Sequence, residues 1–298
     1  MVHIIPKSGF ARTYLIEEDE NIMAVDVGSI GAAQEIEAYC SDVLQKSTQG
    51  IRFIISTHFH IDHIGGIGTL LRKCSLETLV LFHPFVQEYL AGSRELPPME
   101  NWVNGLVPTA LASLSNIKKP SDCTPETLSG IPPSALRPPM RVAQHAQGSG
   151  QRLEAIKNHD HLPYESHIRY FDAGRLPRYQ IGFGDWEVIV TPGHTEDSVS
   201  LYSNTTKELI CGDLIIGDFD GTGFLNNFCQ DEKQIQETFQ MLKENIRPVV
   251  IYPGHGGIIK DAENAFRKVR CAEPIDKLRT GFIEGRCPEP VEGRTFPI

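Results

Sequence analysis

Four short apolar runs in this chain each lead into a residue type that can ligate a metal, His or Asp, and a fold that joins these in one site must bring four strand ends to one place. Ile51-Arg52-Phe53-Ile54-Ile55 is β-branched and aromatic and is followed by Thr57-His58-Phe59-His60-Ile61-Asp62-His63. Trp186-Glu187-Val188-Ile189-Val190 leads into Thr191-Pro192-Gly193-His194-Thr195, and Glu208-Leu209-Ile210-Cys211 into Gly212-Asp213. Pro248-Val249-Val250-Ile251-Tyr252 leads into Pro253-Gly254-His255-Gly256-Gly257. Such runs read as buried strands, and α/β folds gather their active sites beyond the carboxyl ends of strands.

If the chain stays extended through Thr57–His60, the period of two puts His58 and His60 on one side, able to chelate one ion, with Phe59 facing the core. Asp62-His63 then begins a turn, and Gly65-Gly66 precedes a helix over Ile67–Lys73, so that Asp62 and His63 aim at a second ion. One His-x-His alone reads more simply as a pair of core histidines beside a turn. The density from His58 to His63 after a strand reads as ligands. Seven side chains, His58, His60, Asp62, His63, His194, Asp213 and His255, give each of two ions three or four protein ligands if one carboxylate bridges, and Asp213 is the natural bridge. Imidazole and carboxylate suit zinc, the first expectation, while iron and manganese accept the same set.

The pattern His-x-His-x-Asp-His, followed in order by His194, Asp213 and His255, resembles the metallo-β-lactamase superfamily at all seven positions, within a match spanning residues 22–257. The resemblance implies an α/β fold, an αββα sandwich of two mixed β-sheets face to face with helices outside and the site at one edge. It implies one ion on His58, His60 and His194, another on Asp62, His63 and His255, and Asp213 between them. Thr13–Ile16, the polar turn Glu17–Asn21 and Ile22–Gly28 look like the family's opening hairpin. Asp26 there reads either as a group supporting the ligands from behind or as a turn-forming Asp before Gly.

Two cations about 3.5–4 Å apart lower the pKa of a bridging water towards roughly 7. The expected activity is therefore hydrolysis of an ester, thioester or lactone-type bond of a small molecule by a dinuclear-metal-bound hydroxide. One metal would polarise the scissile oxygen, and Asp62 would be the catalytic residue that passes a proton to the departing atom. Within the superfamily the chain resembles the glyoxalase II-like and lactonase-like branches. A flavodiiron enzyme would carry Glu in place of His60, and secreted β-lactamases often carry Cys where Asp213 stands. Two other readings remain open. One is a mononuclear iron persulfide dioxygenase-like oxidoreductase using His58 or His60, His194 and Asp213; the other is a non-catalytic metal-binding protein, against which the complete ligand set argues.

A formal net charge of −10 disfavours a broad phosphate-backbone surface, so no nucleic-acid partner is expected. At 298 residues and 40% hydrophobic content, one elaborated domain over 1–285 with a flexible tail at 286–298 is expected. No apolar stretch approaches the roughly 18 residues of a membrane span, and the first residues lack a secretory pattern, which predicts a cytoplasmic protein without a membrane partner. Seven scattered cysteines fit reduced thiols. Cys211, close to Asp213, reads as a buried small hydrophobe rather than a group facing the site.

The stretch between His63 and His194 is far longer than one helix and two strands require, which places an insertion at about 84–179. It contains helix-like Phe85–Leu90 and Trp102–Leu114, proline-dense 120–139, and His145, His159, His161 and His167. It reads as a lid or substrate wall, or equally as a decorative or homodimer-forming insertion with partial disorder. His159-Asp160-His161 lacks a strand signal and reads as surface histidines, while Tyr164 and Tyr170 are candidate phenols for substrate. Beyond Asp213, the Gly- and Asp-rich stretch Leu214–Asn227 reads as a loop bordering a substrate channel, with Asp218 and Asp220 in turn chemistry. Glu232–Glu244 reads as an amphipathic helix, and Ala262–Lys277 has helical spacing.

Overall fold

The computed structural model describes residues 1–95, 99, 102–126, 165–171 and 178–271. Strands β1 (Val2–Ile4), β2 (Tyr14–Glu18) and β3 (Asn21–Val25) form an antiparallel meander. Helix α1 (Ile30–Tyr39), started by Ser29 accepting from Ala32 N, returns the chain to β4 (Ile51–Ile55), parallel to β3. Short helices α2 (Ile61–Ile64) and α3 (Ile67–Leu71) lead to β5 (Leu79–Phe82). After α4 (Phe85–Leu90) and α5 (Trp102–Ser113), β6 (Ile168–Tyr170) pairs parallel to β5 and completes a sheet ordered as in the sequence.

The second sheet opens with β7 (Arg178–Gln180), β8 (Trp186–Val190), β9 (Val199–Ser203) and β10 (Glu208–Gly217), each antiparallel to the one before. Strand β11 (Gly223–Leu225) folds back on β10, and α6 (Glu232–Asn245) crosses to β12 (Val250–His255), parallel to β10. Strand β13 (Ile259–Lys260) pairs with β12, and β14 (Val269–Arg270) with β11.

Alternation along the strands decides the layers. Leu15, Ile22, Ala24, Ile54, Val80 and Phe82 pack outward with Ile36 of α1, Leu70 of α3 and Val86 of α4. Tyr14, Ile16, Met23, Val25, Ile55 and Leu81 point the other way and meet Val188, Val199, Leu201, Ile210 and Tyr252 of the second sheet. Leu209, Cys211 and Ile251 lie under Ile235, Phe239 and Leu242 of α6. Each buried Val, Leu, Ile, Phe or Met side chain among these contributes about 1.5–3 kcal/mol. The result is the expected αββα sandwich of two mixed sheets. No helix among the described residues is long and apolar enough to cross a membrane.

Several local expectations change. Ile168–Tyr170 and Arg178–Gln180, inside the expected insertion, are strands of the two sheets. Leu214–Gly217 continues β10 and β11 turns back on it, so Leu214–Asn227 is mostly a hairpin rather than a channel loop. Residues 262–271 do not form the expected helix. Asn264 accepts from Phe266 N to start a 3-10 turn, and Val269-Arg270 are taken up by pairing with β11, a tertiary interaction that overrides the spacing. Cys40, Cys74, Cys123, Cys211 and Cys229 are free thiols, whereas Cys271 is disulfide-bonded, a departure from seven reduced thiols. Cys211 is buried in the α6 core, as expected. His145, His159, His161, Tyr164 and the tail at 286–298 lie outside the described residues.

Candidate metal centre

The ladder of β4 ends at Ile55, and the backbone that follows is held by side chains. Thr57 N donates to Asp26 Oδ1 (2.8 Å), and the Thr57 hydroxyl donates to Asp26 Oδ2 (2.8 Å). The Phe59 ring is buried against Phe82 and Tyr89, which leaves His58 and His60 together on the other side, with His58 Nε2 3.0 Å from His60 Nδ1. His60 then opens α2, its carbonyl accepting from His63 N and Ile64 N, and this single turn carries Asp62 and His63.

The second sheet supplies the other three. His194 follows the turn after β8, and its Nε2 lies 3.2 Å from His60 Nδ1. Asp213 sits inside β10 rather than beyond a strand end, which corrects the picture of four strand ends. Gly212 adopts φ +50° there and the register with β12 shifts on both sides of it, a bulge that re-aims the next side chain. His255 is the last residue of β12, with Nε2 3.1 Å from Asp213 Oδ2 and 3.4 Å from Asp62 Oδ2. Gly254 makes the approach possible, because a Cβ there would stand 2.2 Å from Asp213 Oδ1 and 2.9 Å from His63 Cε1.

All seven side chains therefore meet. Ligand atoms of His58, His60 and His194 lie within 4.8 Å of one another, as do those of Asp62, His63 and His255, and those of His58, His63 and Asp213. Asp213 spans the groups, with Oδ2 3.4 Å from His194 Nε2 and Oδ1 3.4 Å from His63 Nε2. His58, His63, His194, Asp213 and His255 are buried, whereas His60 and Asp62 are partly exposed, so solvent reaches the cluster from their side.

The outer nitrogens decide what the inner ones offer. His63 Nδ1 faces Asp26 Oδ2 (2.9 Å), and His194 Nδ1 faces Phe228 O (2.6 Å). His255 Nδ1 faces Phe10 O (2.9 Å) and Ser113 Oγ (2.8 Å). Carbonyls and carboxylates only accept, so these Nδ1 atoms carry hydrogen and the Nε2 lone pairs point inward. The Thr57 hydroxyl, donating to Asp26, similarly accepts from His58 Nδ1 (3.1 Å). With the imidazoles neutral, the inner face sets lone pairs against lone pairs, and His63 Nε2 and Asp213 Oδ1 are buried without a hydrogen-bond partner. A cation is the species such a donor set fits.

Electrostatics divide the cluster. Burial and neighbouring imidazoles hold His58 well below the ordinary histidine value. Burial, then His194, takes His60 to about 3, and burial also lowers His194. These three imidazoles are neutral at neutral pH. Burial is the largest influence on His63 and His255 too and opposes their charge, but the carboxylates together outweigh it and raise both: Asp213 first, then Asp26 and Asp62 at His63 and Asp62 at His255. Despite burial, His255 and His63 hold Asp213 well below the carboxylate range.

A family model described as the metallo-beta-lactamase superfamily matches residues 8–80, which include the first four candidate ligands in sequence. The beta-lactamase-like protein 2 homolog of Drosophila melanogaster is 24% identical over 84% of this chain and 60% of its own length. The probable metallo-hydrolase YflN of Bacillus subtilis (strain 168) is 25% identical over 69% of this chain and 61% of its own. The chain thus spans about three fifths of the length of these relatives. A crystal structure of a metallo-beta-lactamase family protein from Thermus thermophilus superposes with a TM-score of 0.51 at 17% identity, over 90% of this chain and 76% of the other. The chain is thus similar to the metallo-β-lactamase superfamily in sequence over residues 8–80 and to a metallo-β-lactamase family protein in fold.

The residues gathered here suit a divalent metal. Sequence reasoning missed three of the groups that hold them. Asn226 donates to Asp213 O (2.9 Å) and accepts from Phe228 N (2.9 Å), tying the Asp213 bulge to the loop whose carbonyl orients His194. Ser113 reaches His255 from the end of α5, and Asp197 accepts from Phe59 N. None carries a signal beyond its residue type, because each pairing is long-range. Tyr170 lies in β6, and His167 Nδ1 is bound to Thr78 O, so His167 is structural.

Proposed function

We propose that the protein is a metal-dependent hydrolase that cleaves an ester, thioester or lactone-type bond of a small molecule at a dinuclear centre. The observation that carries this is the position of Asp213, whose oxygens reach an inner nitrogen of one triad, His194, and two of the other, His63 and His255. His58, His60 and His194 would hold one ion, Asp62, His63 and His255 the other, and Asp213 would join them. Zinc suits three neutral imidazoles with carboxylates, and iron or manganese accept the same set. Two such cations supply Lewis acidity to the scissile carbonyl and lower the pKa of a water towards neutrality.

The chain's own residues do the rest. Asp62 is the partly exposed carboxylate of the cluster, with Oδ2 3.4 Å from His255 Nε2 and the side chain 30% exposed. It can accept a proton from the attacking water and return it to the departing atom. Asp26, Thr57 and the Phe228 and Phe10 carbonyls keep the imidazoles in the ligating tautomer, so no reorganisation is needed when substrate arrives.

The test is a hydrolysis panel of thioester, lactone, β-lactam and bis-phosphodiester substrates, run on protein loaded with Zn²⁺, Mn²⁺ or Fe²⁺. Turnover of an ester, thioester or lactone that Asp62→Asn abolishes is expected. No hydrolysis with both subsites filled, or oxygen consumption on glutathione persulfide by an iron form, would overturn the proposal.

A further inference from the structure

Two buried carboxylates hold the His58-Phe59-His60 segment from opposite sides. Asp26, at the end of β3, belongs to the first sheet and takes Thr57 N and His63 Nδ1. Asp197 belongs to the loop that carries His194 into β9 of the second sheet, and its Oδ2 accepts from Phe59 N at 2.8 Å. Beside it, Val199 N donates to Thr57 O at 2.8 Å. The two ligand-bearing segments are thus joined by two consecutive rungs, and in one of them the Asp197 side chain stands where a backbone carbonyl would. Asp197 is 1% exposed, so this is a dry link, and Phe59 N would lose its acceptor without it.

Tyr89 of α4 adds another link between the same segments. Its ring packs on Phe59 at 6.0 Å between centroids, and its hydroxyl donates to Glu196 Oε1 at 2.9 Å. Arg94 ties the other Glu196 oxygen to Glu88. Glu196 and Asp197, the two acids after His194-Thr195, therefore act on the same relationship. They fix His194 of one sheet against the His58–His60 pair of the other.

We propose that Asp197, with the Tyr89–Glu196 bond beside it, is the positioning group of the three-histidine metal subsite. It sets the distance between His194 and the His58–His60 pair, and with it the affinity and geometry of the ion held there. The inference rests on the dinuclear reading above. The inner nitrogens stand 3.0–3.2 Å apart, and an ion bound at about 2.0–2.1 Å from each imidazole tolerates little drift of one sheet against the other.

The test is titration of the metal-stripped protein with Zn²⁺ under chelator competition and with Co²⁺ followed by visible absorption, on wild type, Asp197→Ala, Asp197→Asn and Tyr89→Phe. Loss of the outer support should weaken one of the two binding steps about 10–100-fold in Asp197→Ala and change the Co²⁺ spectrum, leaving the other step within about threefold. Asp197→Asn keeps an oxygen for Phe59 N and should restore the affected step. Asp197→Ala that folds and binds both ions with unchanged affinity and spectrum would overturn the proposal, as would failure of the Asn variant to restore binding. If Asp197→Ala does not fold, Tyr89→Phe decides: a selective weakening of the same step supports the proposal, and unchanged binding overturns it. Wild-type protein that takes up no divalent ion would overturn the dinuclear reading as well, whereas two ions in wild type with unaltered variants would overturn this inference alone.

Discussion

The outer nitrogen of His63 lies 2.9 Å from a carboxylate oxygen of Asp26, both side chains fully buried. The same oxygen accepts from the Thr57 hydroxyl, which in turn faces the outer nitrogen of His58. One carboxylate thus sets the tautomer of a ligand in each proposed metal subsite.

Asp26→Asn keeps an acceptor for Thr57 N but puts an NH₂ where His63 Nδ1 and the Thr57 hydroxyl need an acceptor. Metal affinity should fall about 10–100-fold with the fold intact. Isothermal titration with Zn²⁺ alongside far-UV circular dichroism checks it, and unchanged affinity would remove Asp26 from the support of the ligands.

Gly254→Ala introduces a methyl 2.2 Å from Asp213 Oδ1. The β12 backbone is fixed by its pairing with β10, so the Asp213 carboxylate must swing away from His63. The expected outcome is loss of at least one ion per chain and of activity, with secondary structure retained. A variant that keeps its full metal content would show that Asp213 is not placed by this close approach.

Asp62→Asn leaves an oxygen ligand in place but removes the proton acceptor. Turnover should drop by about 10²–10⁴-fold while much of the metal stays bound. Near-normal kcat would take Asp62 out of the mechanism.

Asp197 provides the pH prediction. Burial raises its carboxyl from 3.8 to about 6, even though Phe59 N and Thr195 favour the charged form. Because the folded value lies above the unfolded one, the stabilising contribution is fully present below about pH 3.8 and is lost as pH rises through about 6. Asp197→Asn cannot ionise. In chelator-treated protein its stability relative to wild type should therefore grow between about pH 4 and pH 7, by up to about 3 kcal/mol. Urea unfolding at both pH values measures the difference, and a pH-independent gap would contradict it.

The seven clustered side chains were legible in the sequence because each follows a local signal: a strand run, a turn signal, then His or Asp. The sandwich followed from the superfamily resemblance those ligands carry. What was not legible depends on distant chain. Nothing local says that Asn226 will clamp Asp213, that Ser113 will reach His255, or that Asp197 will take the N–H of Phe59. Asp213 was expected beyond a strand end because a Gly-Asp pair reads as a turn, yet Gly212 instead makes a bulge within β10. Asp26 was open between two roles and fills both, with φ +58° and its carboxylate on His63. The helical spacing at Ala262–Lys277 failed where Val269-Arg270 found a strand partner in β11.

The most direct test of the account is the number of ions each chain holds. Metal-stripped protein is saturated with Zn²⁺, freed of excess by gel filtration and measured by elemental analysis, with Asp213→Ala treated in parallel. The account predicts two ions per wild-type chain and at most one in the variant. One ion or none in wild type, or two in Asp213→Ala, would contradict a dinuclear centre joined by Asp213.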